Sequence, residues 1–190
     1  KTLPLALERD DLRVVHACWH QSCIDAACGQ SCARSCFEKW DRVIVNALDR
    51  DGVHDPIDRV LARQNQNPVK VLTSGLEERN QRAFEAGATV RHTARTRWWD
   101  EYDGDAFVVF GHYWRIPVLG KEGPDSLFEE DNPYEARGGG NSMCIDFSVG
   151  GRWLERQQKK FDGWFKTYLA TMRWPENKVE MENCVHTQFI

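Results

Sequence analysis

Two histidines, His16 and His112, each follow a short hydrophobic segment of the sequence, LRVV for the first and FVVFG for the second. Segments rich in β-branched and aromatic residues are typical of buried strands, and α/β folds place their sites at strand ends. An imidazole that leaves a strand end is held on one side and accessible on the other, as a metal ligand must be. The spacing alone leaves two interpretations open: a metal site, or two histidines that only cap strands.

The elements that must position these histidines are four short apolar segments. Because continuous apolar strands are buried on both faces, we expect all four to share one mixed sheet. The predicted strands are Leu12–His16, Val69–Thr73, Ala106–Phe110 and Met143–Ser148. The segments 167–172 and 178–181 flank a turn sequence, WPEN, and predict an antiparallel C-terminal β-hairpin joined to that sheet.

Helical spacing over 20–36 and 37–48, followed by an N-cap at Asp55 and Pro56 at the first helical position, predicts a helix-rich insert at about residues 20–66. Glycines, prolines and acids predict a long loop at about 120–141. We therefore expect residues 1–190 to form a single domain of the α/β class.

Composition excludes several classes of protein. The 190 residues carry a net charge of −4, which provides no general attraction to a nucleic-acid duplex or an anionic membrane. No apolar run approaches the ~20 residues of a membrane span. Seven cysteines, an odd number, favour a reducing compartment over a disulfide framework. We expect a soluble, cytoplasmic protein.

Four cysteines invite a metal-binding interpretation. Cys28, Cys32 and Cys36 recur every four residues, which would place them on one face of a helix, and Cys23 precedes them. Zinc and iron–sulfur sites are normally built from Cys-x-x-Cys pairs, and these four cysteines form none. We interpret them as small hydrophobes on the buried side of a helix.

The residues around both histidines resemble the last two metal-ligand motifs of the calcineurin-like metallophosphoesterases. The similar segments are LRVVHACW (12–19) and VVFGHYWR (108–115), and further ones are KVLTSGLE (70–77), RWWD (97–100) and CIDFSVG (144–150). Tyr113 stands where the family usually has threonine, and Cys18 where it often has glycine. These departures resemble a bacterial subgroup that includes diadenosine tetraphosphate hydrolases and serine/threonine phosphatases. The resemblance extends from Thr2 to about Met181.

The family's earlier motifs, Asp-x-His, Gly-Asp-x-x-Asp-Arg-Gly and Gly-Asn-His, have no counterpart here. The resemblance therefore implies the C-terminal half of a four-layer α/β/β/α sandwich with a mixed sheet. It implies a metal-dependent phosphoester hydrolase, a phosphatase or a dinucleotide polyphosphate hydrolase, with a divalent metal, Mn²⁺, in a two-metal site when complete. His16 and His112 would be metal ligands, and no catalytic residue is assigned in this chain.

The implied partners are a phosphoester substrate and either the missing N-terminal half or another covering chain. By itself the chain is expected to be inactive, because two imidazoles lack the bridging carboxylate of a two-metal clamp. The competing interpretation is a non-catalytic scaffold or binding subunit derived from the same fold.

Three further residues are candidates for substrate binding. Arg97 and Arg115 flank the strand that leads to His112, and guanidinium groups suit bidentate recognition of phosphoryl oxygens. Tyr113 would form one wall of a pocket for a base or acyl group. Each has a structural alternative, since arginines are mostly solvated and aromatic residues beside a buried strand usually belong to the core.

Overall fold

The computed structural model describes residues 3–30, 32–86, 89–115, 127–128, 135–182 and 187–188. In chain order the elements are β1 (Ala6–Glu8), β2 (Leu12–Val15), α1 (Gln21–Ala27), α2 (Ala33–Arg50), α3 (Pro56–Asn65), α4 (Pro68–Ser74), β3 (Glu77–Ala86), β4 (Thr89–Arg95), β5 (Phe107–Phe110), β6 (Ser142–Cys144), α5 (Arg152–Gln157), β7 (Ala170–Arg173), β8 (Lys178–Met181) and β9 (Thr187–Gln188). Two short 3-10 helices cover Trp98–Asp100 and Val149–Gly151. The protein is therefore mixed α/β.

A four-stranded mixed sheet in the order β1-β2-β5-β6 forms the centre of the fold. Strands β2, β5 and β6 are parallel, and β1 pairs antiparallel with β2 at one edge. The register places Val14 opposite Val109, and Val109 opposite Met143. The carboxyl ends of the three parallel strands consequently meet along one edge of the sheet. The predicted mixed sheet is confirmed.

The predicted strand at Val69–Thr73 is wrong, because these residues form α4. Asn67 caps this helix by accepting a hydrogen bond from the Val69 amide, and Pro68 occupies its first turn. The helix stops before Gly75, which has a φ of 83°. A short apolar run is compatible with a buried strand or a buried helix. Here Asn67 and Pro68, which favour the start of a helix, explain why the helix forms.

The C-terminal hairpin of β7 and β8 is confirmed, but it does not belong to the central sheet. It forms a separate three-stranded sheet with β9. The expected strand at Met143–Ser148 is also shorter than predicted and ends at Cys144, because Asp146 accepts a hydrogen bond from the Ser148 amide in a tight turn. This turn leads the chain out of the sheet before the hairpin begins.

The region predicted as a helix-rich insert contains α1, α2 and α3. The expected single helical face of cysteines is wrong, because α1 ends at Ala27 and α2 begins at Ala33. Cys28 and Cys32 lie in the connection and are exposed, whereas Cys23 and Cys36 are buried.

The loop predicted at about 120–141 lies largely outside the described residues. No helix in the described part of the chain is long and apolar enough to cross a membrane.

The two faces of the central sheet pack against different partners. One face contacts α1, α4 and a group of aromatic side chains; its buried residues include Val15, Cys23, Val71, Leu72, Trp98, Trp99, Val108, Phe110 and Cys144. On the other face Met143 packs with Phe147 and with Val179 and Met181 of the hairpin. The hairpin thus covers the β6 side of that face.

Leu72 of α4 is fully buried in the core, so Leu72→Ala tests whether α4 packs there. We expect a loss of about 2–5 kcal/mol in the free energy of unfolding, measured by urea denaturation, because the truncation leaves a cavity. The matched control is Val60→Ala on α3, where the side chain is 51% exposed and the expected change is within about 0.5 kcal/mol. Equal small losses would contradict the position of α4.

Candidate functional site

His16 and His112 lie side by side at the carboxyl end of the central sheet. Their ring centroids are 5.2 Å apart, with the ring planes at 58°. They follow β2 and β5, which are neighbouring parallel strands, and the Gly111 amide donates a 3.0 Å hydrogen bond to the His16 carbonyl. The structure therefore brings together two residues that are 96 positions apart in the sequence.

The backbone at His112 has an uncommon conformation. Its φ is 70°, and the Tyr113 amide donates a 2.8 Å hydrogen bond to the Gly111 carbonyl. A hydrogen bond between residues i and i+2 around a central residue with positive φ is typical of the classic γ-turn, which is rare and strained. Strained backbone of this kind is concentrated at functional sites, where the surrounding structure holds it in place.

The two imidazoles differ in environment. His16 is exposed, whereas His112 is half-buried and its Nε2 has no hydrogen-bond partner within the described part of the chain. Burial, followed by the charges of Arg95, His16 and Arg91, lowers the pKa of His112 to about 4. His112 is therefore neutral at physiological pH, which is the form that binds a metal ion.

The pair stands at the end of an open cleft of about 590 Å³ on the sheet face that the hairpin leaves uncovered. Val14 and Val109 contribute to its apolar floor, and the N-terminal segment Leu3–Leu7 forms one side. Asp146 lines the same end of the cleft and lies just beyond β6. Sequence reasoning assigned Asp146 no role, although it follows its strand as the histidines follow theirs.

The imidazole pair fits part of a metal site. Each ring nitrogen lies about 1 Å from its centroid and about 2 Å from a bound ion, so two rings that share one ion have centroids at most about 6 Å apart. The observed 5.2 Å satisfies this limit. However, no group of three or more His, Cys, Asp or Glu side chains among the described residues is arranged to hold a metal. Further ligands would have to be added to this pair.

Arg97 and Arg115, which were predicted to bind substrate, do not line the cleft beside the two histidines. Arg97 is half-buried and its Nε lies 2.7 Å from Asp100 Oδ2. Arg115 is 1% exposed, and its Nη1 donates a hydrogen bond of 3.2 Å to the Cys144 carbonyl. The geometry thus favours structural positions for both arginines.

Tyr113 is also directed away from the cleft. Its side chain is 2% exposed and its ring packs against Trp99 and Phe110. Its hydroxyl lies against Gly75, where the φ of 83° and the close approach of the ring both require glycine. This arrangement favours the core position that was the alternative interpretation of Tyr113.

Two arginines that sequence reasoning did not single out lie on β4 near His112. Both Arg91 and Arg95 are close enough to lower the pKa of that histidine, and the Arg95 Cζ lies 5.6 Å from the centre of the Tyr113 ring. The signal that could have identified them is their spacing: residues four apart on a strand share a face.

Comparisons with protein-family models, with curated proteins and with solved structures found no match to this chain. The site is therefore interpreted from its own geometry and from the motif resemblance.

His112 is expected to stay neutral down to about pH 5 and to titrate near pH 4 in metal-free protein, followed by proton NMR of its ring. In the unfolded chain the same imidazole ionises near pH 6.5. Protons therefore bind the unfolded state more tightly, and the free energy of unfolding decreases as pH falls from about 6.5 to about 4. His112→Gln assigns the resonance and should remove this part of the pH dependence. A native midpoint near 6.5 would contradict the burial of the ring.

Proposed function

We propose that this chain supplies the second half of the active site of a metal-dependent phosphoester hydrolase, a phosphatase or a dinucleotide polyphosphate hydrolase. The observation that carries the proposal is the imidazole pair: His16 and His112, 5.2 Å apart, at the carboxyl ends of neighbouring parallel strands. In the same proposal the central sheet belongs to the C-terminal half of a four-layer α/β/β/α sandwich.

Two-metal hydrolysis of a phosphoester requires more ligands than these two imidazoles. A divalent metal, Mn²⁺ by the resemblance, supplies charge stabilisation for phosphoryl oxygens and, in a two-metal site, an activated water. His16 and His112 would hold one ion as neutral ligands. The strained turn at His112 fixes the direction of its ring, and the apolar floor of Val14 and Val109 excludes water from one side of the cleft. The bridging carboxylate and the remaining ligands would come from the missing half.

The exposed apolar residues near the cleft are an argument that a second polypeptide covers it. Strand β1 is an edge strand of the central sheet; Leu7 within it is 58% exposed, and Leu3, which precedes it, is 94% exposed. Unpaired strand edges and exposed apolar residues commonly mark surfaces that pair with another polypeptide. The N-terminal half or a covering chain would bury the cleft and complete the ligand set.

A non-catalytic scaffold or binding subunit is the second candidate function. The absence of a three-ligand group among the described residues favours it. Mass spectrometry of the protein from its natural source separates the two functions. A longer chain, or a tightly bound fragment with the earlier motifs, supports the hydrolase; a 22.0 kDa chain alone supports the scaffold.

Mn²⁺ binding tests the imidazole pair directly. The electron paramagnetic resonance signal of free Mn²⁺, titrated with the 190-residue chain, should show binding that His16→Ala and His112→Ala each weaken at least about tenfold, because each removes a ligand. His54→Ala, which changes an exposed histidine before α3, is the matched control and should leave the affinity unchanged. Binding that neither ligand variant alters would exclude the proposed metal position.

The chain alone is expected to hydrolyse no aryl phosphate at an enzymatic rate in the presence of Mn²⁺, because two imidazoles provide no bridging carboxylate. Addition of a polypeptide that carries the three missing motifs should produce Mn²⁺-dependent hydrolysis, measured by release of the aryl alcohol. The control is the same mixture with His112→Ala in the chain. Full activity from the chain alone would show that a complete ligand set exists elsewhere in it.

A further inference from the structure

Four exposed apolar side chains surround the short helix α5. Trp153 and Leu154 of α5 are 66% and 56% exposed, and Trp164 in the loop after the helix is 80% exposed. Trp114 is 61% exposed, and a Cβ placed on Gly151, directly before α5, would lie 4.0 Å from its ring. Large apolar side chains that are grouped at a surface mark an interaction site.

The loop after α5 packs against one side of this helix. The centre of the Phe165 ring lies 4.6 Å from the Arg152 Cζ and 5.2 Å from the Arg156 Cζ. Residues four apart share one side of a helix, so the loop covers that side of α5. The remaining side carries Trp153 and Leu154, and these two side chains therefore stay exposed.

Four exposed cations accompany these apolar side chains. They are Arg156, Lys159, Lys160 and Lys166. Among the described residues, none of the four forms an ion pair with a carboxylate, whereas Arg152 is paired with Glu182 at 2.8 Å. The four charges are therefore available to an external anion.

The two acidic side chains of this stretch are engaged with the backbone. Glu155 Oε2 accepts a 3.0 Å hydrogen bond from the Lys166 amide, and Asp162 Oδ1 accepts one of 3.0 Å from the Trp164 amide. Residues 152–166 contain five Lys and Arg and two Asp and Glu, hence a net charge of +3, whereas the whole chain has −4. The remainder therefore carries −7, and positive charge is concentrated beside the exposed tryptophans.

We propose that this region, the α5 patch, docks the protein on the surface of a lipid bilayer that contains anionic phospholipids. The α5 patch comprises the exposed apolar residues Trp114, Trp153, Leu154 and Trp164 and the exposed cations Arg156, Lys159, Lys160 and Lys166. Tryptophan is enriched at the level of lipid headgroups, because its ring is apolar and its N–H is polar. Lysine and arginine near the surface attract anionic headgroups.

The composition of the patch favours a bilayer over a nucleic-acid strand. Proteins that bind single strands place aromatic rings along a groove that tracks the backbone. Trp164 is instead 80% exposed, and an exposed aliphatic residue, Leu154, neighbours Trp153 on α5. Exposed indoles and an aliphatic side chain beside cations are typical of proteins that lie on a membrane surface.

The α5 patch borders the cleft that carries the two histidines. Trp114 is two residues beyond His112, and Val149, which lines the cleft, is three residues before α5. A protein docked through the patch would thus hold this end of the cleft beside the lipid headgroups. The inference does not depend on the proposed hydrolysis, because it requires only contact with the bilayer.

Co-sedimentation of the 190-residue chain with lipid vesicles tests the inference. Vesicles of phosphatidylcholine mixed with phosphatidylserine should bind the chain at least about tenfold more tightly than vesicles of phosphatidylcholine alone, because each surface cation contributes to the attraction. Binding should weaken as salt is added, since salt screens exposed charges. Trp164→Ala should lower the affinity about tenfold, because an indole no longer enters the interface. Val43→Ala on α2, which truncates a 54% exposed side chain, is the matched control and should leave the affinity unchanged.

A charge variant tests the cations separately. The double variant Lys159→Gln, Lys160→Gln should lower the affinity for the mixed vesicles about tenfold or more, because two charges are lost. Its effect on the weak binding to pure phosphatidylcholine should be small. The matched control is Lys39→Gln with Arg42→Gln, which removes the same charge from exposed positions of α2 and should change nothing. Circular dichroism of each variant verifies that the fold is retained.

Several outcomes would overturn the inference. One is no binding to either kind of vesicle, and another is binding that neither the Trp164 variant nor the double lysine variant alters. Self-association in sedimentation equilibrium that Trp164→Ala abolishes, without vesicle binding, would assign the α5 patch to a second copy of the chain. Binding of a single-stranded oligonucleotide without vesicle binding would assign it to nucleic acid.

Discussion

The candidate site depends on the parallel pairing of β2 with β5. This pairing places Val14 opposite Val109 and joins the two strand ends through the hydrogen bond from the Gly111 amide to the His16 carbonyl. Because side chains alternate along a strand, a shift of one residue would turn every side chain of one strand to the other face. The separation of the two imidazoles is therefore a consequence of register, and the buried valines and aromatic residues on both faces hold that register.

The backbone turn at His112 also fixes the orientation of its side chain. Its positive φ is unfavourable for a residue with a side chain, and it persists because the Tyr113 ring after it is packed among Trp99 and Phe110. The packing of Tyr113 in the core thus stabilises the backbone conformation of His112. This relation also explains why Tyr113 is deeply buried although it is the immediate neighbour of His112, which lines the cleft.

The two faces of the central sheet are packed to different extents. The proposal of a covering partner depends on this difference. In the part of the chain that the structure describes, helices α1 and α4 and the aromatic cluster pack on one face, while the hairpin packs on the β6 side of the other. The remainder is the apolar cleft whose end carries the two histidines. In the proposed function, a partner covers this apolar surface and supplies further ligands beside His16 and His112.

The sequence by itself determined the short strands before His16 and His112 and the C-terminal hairpin, because these depend on local patterns of apolar residues and turn chemistry. It did not determine α4, since five apolar and polar residues from Val69 to Thr73 are compatible with strand or helix until the capping by Asn67 and the packing of Leu72 are known. It also did not determine the partner of Arg115. Only the tertiary structure showed that this guanidinium donates to the Cys144 carbonyl, because the two residues are 29 positions apart in the chain and meet only through packing.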